Sequence, residues 1–164
     1  MKQDNDKSYT QKNYGILCGM LEENGWKYEK NEEKFTVRTA AVSRNKSGGE
    51  YVFDIHIILK QDLQLAILYA PLPFTVPEQR RRETAFALAC INDKLLYGNF
   101  DFDVDSGKTV LRVNLTYLNC SLNKKAYEYM LFTACQLLET YVDVILDIAQ
   151  SGKTCADIKK QFAV

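Results

Sequence analysis

The stretch YVFDIHIILKQDLQLAILYA, residues 51–70, decides the fold. Large apolar residues occupy alternate positions on both sides of a polar centre, and this period of two is typical of strands with one buried face. The alternating positions are Tyr51, Phe53, Ile55, Ile57 and Leu59, then Leu63, Leu65, Ile67 and Tyr69. The stretch therefore predicts an antiparallel hairpin that buries these side chains together.

The connection within this hairpin is predicted to be the three-residue turn Lys60–Asp62. An odd loop pairs Leu59 with Leu63, and Asp62 tolerates the left-handed conformation. This register places three large apolar residues on the face turned away from the core: Val52, Ile58 and Leu68. Leaving each of them in water forgoes about 1.5–3 kcal/mol, so we expect this face to be covered. Its cover is either the first helix or another protein chain, and the three residues are candidate partner-binding residues.

Upstream of the hairpin, the sequence predicts a helix over about 9–24. The capping box Ser8–Gln11 starts it, Gly25 ends it, and the polar residues 1–7 are expected to be disordered. The strands predicted between this helix and the hairpin are a short one around Trp26–Tyr28 and a longer one at Phe35–Ala41.

Two long helices and a short final one are predicted downstream. The capping box Thr75–Glu78 starts the second helix, whose buried stripe extends to Leu96 before Gly98 ends it. The third covers about 123–150 with a period of 3.6 throughout, and Gly152 breaks it. A short final helix is predicted from a cap formed by Thr154 and Asp157 to about Phe162.

A second hairpin separates these two helices. The apolar residues from Phe100 onward alternate with aspartates, and a two-residue turn at Ser106–Gly107 pairs Phe102 with Leu111 and Asp101 with Arg112. Gly107 is expected at positive φ in this turn.

The order helix-strand-strand-strand-helix-strand-strand-helix predicts a single α+β domain over residues 1–164. Its centre is an antiparallel sheet of about five strands, and helices flank that sheet.

Composition excludes several classes of protein. The chain has 21 Lys plus Arg and 21 Asp plus Glu, so its formal net charge is zero. Nucleic-acid binders and proteins that bind anionic membranes need a net cationic field, so neither partner is expected. The five cysteines form no Cys-x-x-Cys pair. With no apolar leader and no membrane-length apolar stretch, the sequence predicts a cytoplasmic protein with free thiols.

Two motifs resemble ligand sites without meeting their requirements. Asp101-x-Asp103-x-Asp105 starts like a calcium loop, but Ser106 and Arg112 replace the required Gly and bidentate Glu. Ser-Gly-Lys-Thr occurs at 106–109 and 151–154, but neither copy has the upstream glycine or the strand-to-helix setting of a phosphate loop.

The remaining candidates are His56 and the run Arg80–Arg82. A single histidine without matching Cys spacing cannot form a typical zinc site, so His56 is expected to be partly exposed beside Asp54. Successive residues turn by about 100° around a helix, so the three arginines favour a solvated surface over an anionic partner site. The sequence thus predicts no catalytic, cofactor-binding or metal-binding residues.

The passage Asn92–Asp103, NDKLLYGNFDFD, resembles the helix-to-hairpin passage of the YbjN family, a family of bacterial sensory-transduction regulators. The similarity lies in Asn92 within the helix, then Gly98, the aromatic Phe100 and an alternating strand. The break at Gly152–Thr154 and the entry Gly25–Tyr28 also fit. The resemblance covers the chain from about residue 10 and implies a fold similar to type III secretion chaperones, which are often dimeric and have no known catalytic centre.

Two classes of function follow. The first is a non-enzymatic regulatory or chaperone-like module that binds another protein, or a second copy of itself. The second is a module for a small molecule or an anion, or an enzyme whose site residues cannot be associated from sequence. A pocket with converging polar groups would favour the second class, and a flat apolar patch the first.

Overall fold

The structure, a computed structural model, describes residues 2–45, 48–154 and 156–157. A 3-10 turn at Glu78–Arg80 precedes the second of its helices, which are α1 (Lys2–Glu23), α2 (Arg81–Asn92) and α3 (Lys124–Ser151). The strands are β1 (Tyr28–Asn31), β2 (Thr36–Arg44), β3 (Glu50–Lys60), β4 (Leu65–Thr75), β5 (Asn99–Phe102) and β6 (Lys108–Thr116).

The strands form one antiparallel six-stranded sheet of order β1-β2-β3-β4-β6-β5. The predicted α+β class and order of elements are confirmed, and the short strand near Tyr28 brings the expected five strands to six. None of the helices in the described residues is both long enough and apolar enough to cross a bilayer.

All three helices pack on the same face of the sheet. Leu17 and Leu21 of α1 belong to the same buried cluster as Phe53 of β3 and Leu131 of α3. The hydroxyl of Tyr14 also donates to the backbone oxygen of Thr36. The first helix therefore lies on the core side of the sheet, and of the two alternatives for covering the opposite face, cover by this helix is wrong.

The β3–β4 turn differs from the prediction, and the difference exchanges the buried and the outer face of β4. Leu59 pairs with Ala66 instead of Leu63, around a turn at residues 61–64. Gln64, not Asp62, takes the left-handed conformation, with φ of 47°. A change of parity in the register moves every side chain of a strand to the other face. Leu68 is therefore fully buried in the core, and its assignment to the outer face is wrong.

The β5–β6 hairpin forms with a longer loop than predicted. Phe100, rather than Phe102, pairs with Leu111. This shift by two positions preserves the faces, so Phe100 is buried and Asp101 still binds Arg112, now on the diagonal, at 2.7 Å. Gly107 has φ of 73°, as predicted.

The first two helices start at residues other than those predicted. Helix α1 begins at Lys2, so Ser8 lies inside it and does not cap it, and residues 2–7, expected to be disordered, are helical. Helix α2 begins at Arg81, and no side chain caps the preceding 3-10 turn, so the box at Thr75–Glu78 does not form.

The end of α2 is fixed by Asn92. Its side-chain amide donates to the backbone oxygen of Phe100 at 3.0 Å, and its carbonyl accepts from the Phe100 amide at 2.8 Å. The helix therefore stops at Asn92, and Leu96, which was predicted to be buried, is 92% exposed.

Helix α3 follows its prediction closely. The side chain of Asn123 caps its start by accepting from the Ala126 amide, and Gly152 ends it with φ of 77°. The Thr154–Asp157 cap also forms, because the Thr154 amide donates to Asp157 at 2.9 Å. The rest of the predicted final helix, to Phe162, lies outside the described residues.

Candidate partner-binding site

The face of the sheet opposite the helices, here called the open face, is not covered by any described element. Val42 and Val52 are direct partners across β2 and β3, and each is 60% exposed. Ile58 lies on the same face at the other end of β3, half-buried beside Ile67. The structure thus brings Val52 and Ile58 to the open face and places Leu68 in the core.

Ion pairs occupy the middle of the open face. Arg38 donates two hydrogen bonds to Asp54, at 2.8 and 3.0 Å, and His56 lies 3.1 Å from the same carboxylate. These side chains are about half exposed. The expected position of His56 beside Asp54 is confirmed. Asp101 and Arg112 form a second pair toward β5.

Replacing Arg38 with methionine is expected to raise the pKa of Asp54. The hydrogen bonds from Arg38, and secondarily the one from His56, hold the pKa of this carboxyl below its ordinary value. A depressed pKa stabilises the folded state above the unfolded pKa, about 3.9, and this stabilisation is lost as the pH falls through the lower folded value. Because both partners are exposed, the effect on stability is small. Carboxyl NMR titration measures the shift; Arg112→Met is the control and should leave Asp54 unchanged.

A strand edge remains open at one end of this sheet. Strand β1 pairs with β2 over Thr36–Thr39, whereas β2 continues to Arg44. On that side of Ala40–Arg44 the described residues place no strand, while β3 pairs with the other side. A partly paired strand exposes backbone donors and acceptors that another chain can use.

The local sequence explains why β1 begins only at Tyr28, the residue that pairs with Thr39. Gly25 takes the left-handed conformation, with φ of 70°, and the Trp26 amide donates to the backbone oxygen of Leu21. The Thr39 hydroxyl donates to the backbone oxygen of Lys27 at 2.8 Å. The chain is therefore tied to the end of α1 just before β1, and it leaves the edge of β2 free from Ala40 onward.

A groove of about 430 Å³ lies beside this free edge. Its remaining walls come from the α1–β1 connection, β3 and α3, and they are Trp26, Phe53, Cys135, Leu138 and Glu139. Burial, with a smaller contribution from Glu139, raises the pKa of the Cys135 thiol, so the thiol stays neutral at pH 7. Most of the side chains that line the groove are apolar, and the charged Arg44 and Glu139 lie among them beside the backbone groups of β2.

A second concavity lies next to α2 and carries both signs of charge. Its lining includes Arg81, Arg82, Phe86 and Val104 together with the carboxylates Glu78 and Asp105. Arg81 is held by the backbone, since its guanidinium donates to the Asp105 oxygen at 2.6 Å. The neighbouring Arg80 donates to the carbonyl oxygen of Ile148 at the end of α3, at 2.7 and 2.9 Å. Two of the three arginines thus have structural roles.

The aspartates that resemble a calcium loop have structural roles as well. Asp101 binds Arg112, and Asp103 accepts from the Asp105 and Ser106 amides inside the hairpin loop. Across residues 2–45, 48–154 and 156–157, no three His, Cys, Asp or Glu side chains are grouped as metal ligands.

Comparison with known structures assigns the fold. The protein has the fold of YbjN from E. coli, which is proposed to be a transcription regulator: the two match over 80% of this chain and 87% of that one, with a TM-score of 0.51 and 20% identity. The ExsC–ExsE complex matches over 79% of this chain and 92% of that chain, with a TM-score of 0.48 and 16% identity. Neither a protein-family model nor a curated protein sequence matches the chain. The resemblance to YbjN is therefore confirmed at the level of the fold.

Proposed function

We propose that this protein is a non-enzymatic regulatory or chaperone-like module that binds an extended segment of a partner protein at the free edge of β2. The observation that carries the proposal is the length mismatch between β1 and β2, which leaves Ala40–Arg44 unpaired on one side next to an apolar groove. The YbjN fold is consistent with a regulatory role.

Strand addition uses both surfaces next to this edge. In a β-strand, successive side chains point to opposite faces of the sheet. Alternate residues of an added segment would therefore enter the groove above Phe53 and Leu138, and the others would lie on the open face beside Val42. Backbone hydrogen bonds supply affinity and the alternate side chains supply specificity. Val52 becomes part of the binding surface as the neighbour of Val42, and Ile58 lies beyond it.

Small-molecule binding is less well supported. The charged groups of the groove beside β2, Arg44 and Glu139, are of opposite sign, and the concavity at α2 mixes two arginines, one of them already held by backbone oxygens, with two carboxylates. Ligand sites usually place a few converging polar groups in an apolar pocket.

Peptides that bind this protein are first selected from a displayed library of random peptides. Their binding to variants with a blocked β2 edge then tests the proposal. Neighbouring residues of an antiparallel strand direct their amides to opposite sides, so one of Ala41→Pro and Val42→Pro removes an edge amide and the other removes a β2–β3 amide. Circular dichroism identifies the variant that stays folded. This variant should bind selected peptides about fivefold more weakly, since the one hydrogen bond that it loses is worth roughly 1 kcal/mol.

Phe86→Ser, which alters the concavity at α2, is the matched control and should bind these peptides normally. Equal binding to the folded proline variant and to the original protein would contradict the proposal. If this protein forms a dimer and the folded proline variant loses it, the occupant of the β2 edge is a second copy of the chain.

A further inference from the structure

We infer that the segment bound at β2 is basic and that it places a large apolar side chain in a second pocket, between α1 and α3. The inference rests on the proposed function and specifies the chemistry of the partner. The second pocket, here called the anchor pocket, has a volume of about 250 Å³. Its lining is Met20, Asn24, Trp26, Glu128, Leu131, Phe132 and Cys135.

The anchor pocket continues the groove beside β2. Trp26 and Cys135 line both cavities. The residues of α3 that line the anchor pocket run from Glu128 to Cys135, and those that line the groove run from Cys135 to Glu139. A bound segment therefore meets the two cavities one after the other along α3.

The path of the segment is constrained at Trp26. Beyond Ala40 in the direction of Thr39, β1 occupies the edge of β2, so an added strand has to leave the sheet there. The anchor pocket is the cavity that shares Trp26 with the groove. Phe132, which is 60% exposed on its wall, provides an apolar contact for a side chain that arrives from the strand.

The charges along this path favour a basic segment. Glu128 lines the anchor pocket and Glu139 lines the groove, and within the described part of the chain neither carboxylate forms an ion pair. Arg44 is the positive group of the groove, so the two cavities together hold two carboxylates and one guanidinium. Glu128 and Glu139 are eleven residues apart on α3, which corresponds to about 16 Å. An extended segment spans this distance with about five residues.

Four synthetic peptides of about ten residues, long enough to span both cavities, test this inference. In one pair valine alternates with lysine, in the other with glutamate, and one member of each pair ends in phenylalanine. We expect the lysine peptides to bind the full chain at least about tenfold more tightly at low salt, with the advantage falling as salt is added. The double variant Glu128→Lys with Glu139→Lys should reverse the preference, and Glu33→Lys, in the turn at the far end of β2, should not.

The terminal phenylalanine should strengthen binding to the original protein but not to Phe132→Ser, which leaves the buried Leu131 in place. Hydrogen exchange of residues 40–44, measured on the same samples, separates the two proposals. Protection by lysine and glutamate peptides alike, without a charge preference, would overturn this inference and keep the proposed function. Binding of no peptide, or protection of 40–44 by self-association alone, would overturn the inference as well.

Discussion

Replacement of Gly107 with alanine is expected to destabilise the protein by more than about 4 kcal/mol, well above the 1–2 kcal/mol that a left-handed backbone alone costs a residue with a side chain. Gly107 has φ of 73°, and a Cβ atom built on it would lie 2.3 Å from the backbone oxygen of Val76 and 3.0 Å from Nε of Arg81. The Val76 amide donates to the Gly107 oxygen at 2.9 Å, so the hairpin loop is fixed against this segment. A methyl group can fit only if these backbones separate.

Gly25→Ala is the control for this prediction, because Gly25 has φ of 70° and open space around its Cα. Urea denaturation of both variants should give a loss of about 1–2 kcal/mol for Gly25→Ala and a much larger loss for Gly107→Ala. Equal losses would show that the contact with Val76 is not present in solution.

Replacement of Asn13 with leucine is expected to cost about 3 kcal/mol or more. Asn13 is fully buried in α1 and uses both ends of its amide. It donates to the backbone oxygens of Tyr9 and Cys120, and it accepts from the Leu122 amide and the Tyr127 hydroxyl, all at 2.8–3.0 Å. Leucine fills the space but leaves several buried polar groups without this partner, each at a cost of about 1–3 kcal/mol.

Asn24→Leu is the matched control, because exposed Asn24 makes the same local bond to the carbonyl four residues earlier, that of Met20, at 2.9 Å. Its free energy of unfolding should change by less than about 1 kcal/mol. If the two variants lose the same stability, the bonds from Asn13 to the β6–α3 connection contribute nothing.

The first hairpin shows where sequence patterns succeed and fail. Alternation in β3 identifies its buried face correctly, because every second residue is large and apolar. In β4 both faces are apolar over Leu65–Leu68, so the register depends on the turn. That turn is fixed by Gln64, whose backbone oxygen accepts from the Tyr117 amide and whose side chain accepts from the Asn119 amide. Contacts so distant in sequence leave no local signal.

The second hairpin shows an error that leaves the faces unchanged. Its loop is longer than predicted because Asp103 binds the amides of Asp105 and Ser106, and an aspartate can do this in several kinds of turn. The shift is by an even number of residues. Buried and exposed positions on β6 are therefore correct although the pairing is wrong.

The candidate site was only partly predictable for a related reason. Alternation within β3 correctly predicts that Val52 is exposed. The prediction that Leu68 is exposed depended on the length of the β3–β4 turn, and it is wrong. The free edge results from the unequal lengths of β1 and β2, which the sequence suggests. The groove needs Trp26 and Cys135 to approach β2 from other elements, and no local pattern shows this.

The most direct test of strand addition is an NMR measurement on the isotope-labelled protein with a bound, selected peptide. The account predicts cross-strand contacts between peptide protons and the backbone protons of Ala40–Arg44, with alternate peptide side chains close to Phe53 and Leu138. Contacts confined to α2, or to the open face around Ile58 without any to Ala40–Arg44, would contradict it.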